Sequence, residues 1–157
     1  MKRLRENKQM ICRTLMAACM LLFVQLAAFG QQDTELSVVS SLQGPPEELK
    51  LADLKAIFNF EKQRWHDGTK VVIVMMKTTT PVGQSTCQKV YGMSGQGVLR
   101  LFSQLQFAGK IDKPILCNTM DELLATIADN PGAIGIAGKV ADSPNVKTIL
   151  INGKKTF

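Results

Sequence analysis

Histidine is nearly absent from this sequence: His66 is the only one in 157 residues. A lone histidine excludes the multi-histidine ligand sets of most catalytic zinc sites. No serine or cysteine is arranged around His66 as a nucleophile with its base. Paired carboxylates in a catalytic constellation and ligand spacings for a metal are missing too. The chain is therefore expected not to be an enzyme and to need no metal and no cofactor. Tryptophan and tyrosine also occur once each, as Trp65 and Tyr91.

Excess charge is scarcer than the net +6 implies. Five of the 19 Lys and Arg and one of the 13 Asp and Glu fall within residues 1–30, which leaves 14 and 12 in the remainder. A surface so close to neutral carries no electrostatic argument for nucleic acid, which attracts clustered Lys and Arg.

The first 30 residues are unlike the rest. Lys2, Arg3, Arg5, Lys8 and Arg13 precede an apolar run from Thr14 to Phe29, and Ala28 and Gly30 give a small-x-small exit. That order is the pattern of a secretory signal peptide, with cleavage expected after Gly30. The run is short for a membrane span, which needs about 20 residues. Residues 31–157 are then one exported domain, large enough for a single core, placed in the periplasm or outside the cell. Export leaves two cysteines, Cys87 and Cys117, with Cys12 and Cys19 lost in the leader. An oxidising compartment permits a disulfide between the two, and a pair of buried thiols is equally ordinary.

Hydrophobic patterning alternates strands with helices. Glu35–Ser41 is rich in β-branched residues and is expected as a strand, followed by a loop at Gly44, Pro45 and Pro46. Leu51, Leu54, Ile57 and Phe58 share one helical face. Asp67-Gly68 signals a tight turn before the continuous apolar run Val71–Met76, which suits a strand covered on both faces. Thr80 can cap a helix with Pro81 at its first position and Gly92 at its close. A second helix carries Val98, Leu101, Phe102 and Leu105 on one face and stops at Gly109. Ile115 and its neighbours form a connector or short strand. Thr119 and Glu122 have capping-box spacing ahead of Leu123, Leu124 and Ile127. Two further strands follow, at 133–138 and 146–153, the second ending in the Asn152-Gly153 turn signal. The expected fold is α/β: a layered domain with a mixed central sheet and helices on both faces.

Four stretches in order carry a resemblance. They are "LADLKAIFNFEKQRWHDGTKVVIV", "KVYGMS", "LFSQLQFAGK" and "IADNPGAIGIAG". Together they resemble the substrate-binding proteins of phosphate ABC transporters, in particular short members the size of one lobe. The resemblance covers about residues 49–138, and more weakly the closing strand to Gly153. It implies one lobe of a periplasmic binding protein that takes a small oxyanion such as phosphate. The partner would be a membrane permease, and a second lobe from another chain could supply the missing wall of the cleft.

The same resemblance points to a site. The family places a Ser-Gly-Thr motif at a helix start, where free backbone N–H groups and the helix dipole favour an anion. One alignment sets Thr80, Pro81 and Val82 against that motif, which keeps one hydroxyl of two. A shifted alignment uses Gly83 to Thr86 and restores hydroxyls at Ser85 and Thr86. The ligand candidates are thus Thr78, Thr79, Thr80, Ser85 and Thr86, beside the plainer reading of Thr80 as a helix cap. Trp65 is expected to cover the core, and Gly132 and Gly135 to serve a turn and a close packing. A second function class follows from the incomplete motif: a non-catalytic interaction protein of the cell envelope that has lost its ligand.

Overall fold

The structure, a computed structural model, describes residues 34–139 and 143–157. The leader expected at residues 1–30, with Cys12 and Cys19, lies outside them. Thr34–Phe157 forms a compact unit of its own.

Six strands make one sheet in the order β2-β6-β1-β5-β3-β4. They are β1 (Leu36–Ser40), β2 (Glu48–Leu49), β3 (Val72–Met76), β4 (Ile115–Cys117), β5 (Ala133–Gly138) and β6 (Lys147–Ile151). Only β1 is reversed: it lies antiparallel to β5 and β6, with Val38 opposite both Ile136 and Ile149. The pairs β3–β4, β3–β5 and β2–β6 are parallel. The sheet is therefore mixed, as expected, and the reversal of β1 is what makes it so. β2 falls where the loop after Pro46 gives way to the helical stretch expected from Leu49; two residues are too few for any periodicity to register.

Among the described residues, four helical segments cover the sheet. α1 (Leu51–Phe58) buries Leu54, Ile57 and Phe58. α2 (Pro81–Thr86) runs on through a widened π turn, Cys87–Tyr91, to Gly92 in the left-handed region at φ 64°. α3 (Gly95–Phe107) buries Val98 and Phe102, and α4 (Met120–Asp129) buries Leu123 and Ile127. The crossover from β3 to β4 steps outward through α2 and α3, and the crossover from β4 to β5 steps back across β3 through α4. Right-handed crossovers in opposite directions place their helices on opposite faces.

Two apolar clusters result. One face gathers Leu36, Val38, Ile73, Met75, Ile134, Ile136 and Ile149 under α1, α2 and α3. The other joins Val39, Val74, Met76, Ala133 and Ala137 to α4. Each fully buried Leu, Ile or Phe contributes roughly 1.5–3 kcal/mol of transfer free energy. Trp65 is buried over the first cluster, as expected of a core-covering residue. Edge contacts join Phe58 to Tyr91, Tyr91 to Phe102 and Phe60 to Phe102.

The two cysteines settle on opposite sides of this division. Cys87 belongs to the first cluster and Cys117 to the second, and both are free, buried thiols. The disulfide considered from the sequence is not formed, because the sheet stands between its two halves.

Helix ends follow local chemistry closely. Thr80, Ser94 and Thr119 each cap through the side-chain oxygen, accepting from the N–H groups of Gly83, Gly97 and Glu122. The Glu122 carboxylate is held chiefly one residue beyond Thr119, accepting from the Asn118 N–H at 2.6 Å, with a smaller contribution from the Thr119 N–H. α1 has no cap of its own at Lys50. Its Leu51 N–H is met instead by Asn152 Oδ1 at 3.4 Å, from the turn that closes β6.

Candidate functional site

The exits of β3 and β4 diverge. The chain leaving β3 at Lys77 turns to α2 on one face, and the chain leaving β4 at Asn118 turns to α4 on the other. Between such exits an open sheet leaves a crevice at the carboxyl ends of its strands, the usual ligand position in α/β folds. Thr78, Thr79 and Thr80 follow the β3 exit, between Met76 and the start of the next helix at Pro81. A hydrogen bond from the Lys77 N–H to the Cys117 carbonyl, at 2.9 Å, ties the two exits together.

Two helix starts meet there. Pro81 opens α2, and Gly95 opens α3 so close by that a Cβ placed on Gly95 would lie 2.7 Å from the Thr78 Cβ. Neither first turn carries an acidic residue. Both therefore present partial positive charge uncompensated by a carboxylate of their own. α4 differs, with Asp121 and Glu122 in its first turn. Glu122 is held below the usual carboxylate range by its bonds from the Asn118 N–H and side chain, helped by the Lys77 charge.

The hydroxyls are less free than the sequence allowed. Thr80 Oγ1 accepts from the Gly83 N–H at 3.0 Å and donates to the Lys77 carbonyl at 2.8 Å. Thr86 is 2% exposed, and its Oγ1 donates to the Val82 carbonyl at 2.8 Å. Thr79 is exposed, while Thr78 and Ser85 are half-buried. The first turn of α2 is also short of donors. Pro81 has no N–H, the Gly83 N–H goes to Thr80, and the Gln84 N–H goes to the Thr80 carbonyl at 2.9 Å. Val82 supplies the remaining backbone N–H of that turn.

Gly83 explains why α2 begins here. A Cβ at this position would stand 2.0 Å from the Lys77 carbonyl oxygen. The helix is thus seated directly on the strand exit, and sequence reading had no signal for that contact. Two surface clefts, of about 200 and 210 Å³, open elsewhere, and neither is lined by residues 78–86. Among the described residues, no group of three or more His, Cys, Asp or Glu is placed to hold a metal ion. No described helix is long and apolar enough to cross a membrane.

By sequence, no protein-family model matches the chain, and no curated protein matches it. By structure it is similar to an ABC-type phosphate transport receptor from Vibrio cholerae, with a TM-score of 0.61 at 14% identity. The chain has the fold of one lobe of a periplasmic binding protein. The alignment covers 79% of this chain and 49% of the Vibrio receptor. PstS from Borrelia burgdorferi aligns over 77% and 48% of the two chains at 13% identity, with a TM-score of 0.54. A phosphate-binding protein from Stenotrophomonas maltophilia aligns over 76% and 39% at 14% identity, with a TM-score of 0.56. The chain thus spans half or less of the length of these structures. At such identities the likeness is one of fold.

Proposed function

We propose that this chain is an exported lobe of solute-binding type that takes a small oxyanion such as phosphate at the β3–β4 crevice. The observation that carries this reading is the meeting of two acid-free helix starts at Thr78, at the carboxyl end of the sheet. The fold shared with phosphate-binding proteins supports it. The donors would be the Thr78 and Thr79 hydroxyls, the Val82 N–H and the first N–H groups of α3, with Ser85 at the margin and Lys77 adding charge. Thr80 shapes the turn rather than holding the ligand, because its hydroxyl is engaged on both sides. One lobe gives one wall, and burial of a ligand takes two. A second lobe from another chain, or a membrane permease, would close the site.

A second reading has its own support: an interaction protein of the cell envelope that has lost its ligand. Pro81 and the engaged hydroxyls of Thr80 and Thr86 reduce the donor set in the direction that reading requires.

The two separate in a thermal-shift titration with phosphate, sulfate and molybdate at fixed ionic strength. An anion that binds only the folded state raises the melting temperature by mass action. The binding reading expects a saturable rise with one anion, reduced in Thr79→Val. A folded sample with no shift up to millimolar anion would sink it for this chain alone and favour the interaction protein.

A further inference from the structure

The cleft of about 200 Å³ lies at the opposite end of β3 from Thr78. Its floor is apolar, made by Ile57, Phe60, Val71, Ile73, Pro114 and Ile115. Its mouth is basic. Lys62, Lys70 and Lys113 line it, all exposed, with one carboxylate, Asp112, which is paired to Lys70. Lys110 stands beside them, its carbonyl accepting from Gln63 Nε2 at 3.1 Å. Three residues earlier, at the end of α3, Phe107 is 94% exposed.

Size and charge narrow the occupant. Pockets that enclose a whole small molecule run to about 300–1,000 Å³. This one has room for one or two anchoring side chains. The lysine surplus around an apolar floor selects a group that brings carboxylates with its anchor. It also opposes a two-fold pairing of this cleft with itself, which would bring the same lysines together.

Strand addition is a poor fit. In a parallel ladder, alternate residues turn their backbone groups toward the neighbour. Cys117 accepts from Lys77, so Cys117 and Ile115 face β3 and Leu116 faces outward. The outward positions on either side are blocked: Pro114 has no N–H, and the Asn118 N–H is given to Glu122. An edge with so few donors resists a pairing strand.

We propose that this cleft is a docking site for an acidic segment of a partner protein, which seats an apolar side chain over Ile57, Phe60 and Ile115 and sets carboxylates against Lys62, Lys70 and Lys113. β3 separates the cleft from Thr78 by roughly 15 Å, at about 3.3 Å per residue. A docked partner leaves the oxyanion end of the sheet open. The proposal stands independently of oxyanion binding.

The test uses the 157-residue chain, labelled with nitrogen-15, titrated with the peptide acetyl-Glu-Asp-Leu-Phe-Asp-Glu-amide and followed by amide shifts. Saturable, salt-sensitive shifts at Ile57, Val71 and Ile115 are expected, with the amides of Thr78, Thr79, Thr80 and Val82 unmoved. Lys70→Glu with Lys113→Glu should weaken binding by about tenfold, and Asp112→Asn, which removes the competing carboxylate, should tighten it by about threefold. These side chains are exposed, so folding is not at stake. Equal shifts with a peptide carrying Lys in place of Glu and Asp would overturn the proposal. So would no shift at these amides at millimolar peptide, or shifts confined to residues 78–82. Concentration-dependent dimerisation that broadens the same cleft amides without peptide would assign the cleft to a second copy, and would overturn it too.

Discussion

The buried indole N–H of Trp65 donates to the Gly132 carbonyl across 2.8 Å. That bond joins the Asp67-Gly68 turn to the turn that starts β5. Gly132 adopts φ 78°, and a Cβ there would stand 2.3 Å from the Lys70 carbonyl oxygen, so the two turns are packed backbone against backbone. The Gly132 carbonyl also accepts from the Val72 N–H at 3.2 Å. Trp65→Phe should therefore cost only about 1–2 kcal/mol, since most packing and one acceptor bond survive. Trp65→Ala should cost about 3–5 kcal/mol. Urea midpoints read both, and equal losses for the two variants would contradict the account.

Thr80 and Gly83 make a pair of opposite expectations. Thr80→Ala removes a cap and should cost about 1 kcal/mol, with Thr80→Ser near neutral. Gly83→Ala would stabilise an ordinary helix interior by up to about 1 kcal/mol. Here the added methyl meets the Lys77 carbonyl, and the expected effect is a loss of about 2–4 kcal/mol. A Gly83→Ala protein more stable than wild type would show that α2 is not seated on the strand exit.

Acid should weaken α4 through Glu122. Its carboxyl is held below the usual range in the folded state, chiefly by the Asn118 N–H. A depressed folded value means the contribution is fully present above the unfolded value, about 4.3, and is lost as pH falls through the folded one. Glu122→Gln should be less stable than wild type at pH 7. The gap between their urea midpoints should close as pH drops below about 4. A gap unchanged down to pH 3 would place the cap's strength elsewhere.

Cys87 and Cys117 should be slow thiols. Burial pushes both upward, and only Cys117 has a partner, Thr126 Oγ1 at 3.8 Å. Iodoacetamide under native conditions should leave both unlabelled, and denaturant should expose both. Peptide mapping that finds them joined to each other would contradict their separation by the sheet.

Much of the local structure was legible because its causes are local. The Thr80–Pro81 start, the Thr119 cap and the strand Val72–Met76 each depend on neighbours within a few residues. The Asn152-Gly153 turn does too, with both residues at positive φ. The single helix expected from Pro81 to Tyr91 widens at Cys87. Gly83 fixes its start, and at its close the Tyr91 hydroxyl donates to the Phe58 carbonyl at 3.1 Å.

What the sequence by itself determined is the order and type of elements, since hydrophobic period and capping chemistry act over one turn of helix or a few residues of strand. Only the tertiary structure decided that β1 runs between β5 and β6, that Asn152 caps α1 from 101 residues away, and that Cys87 and Cys117 face opposite cores. It also decided the fate of the candidate hydroxyls. Whether Thr79 is exposed and Thr86 is turned to Val82 depends on how closely α2 sits on β3. That distance is set by packing between segments, which no local pattern records.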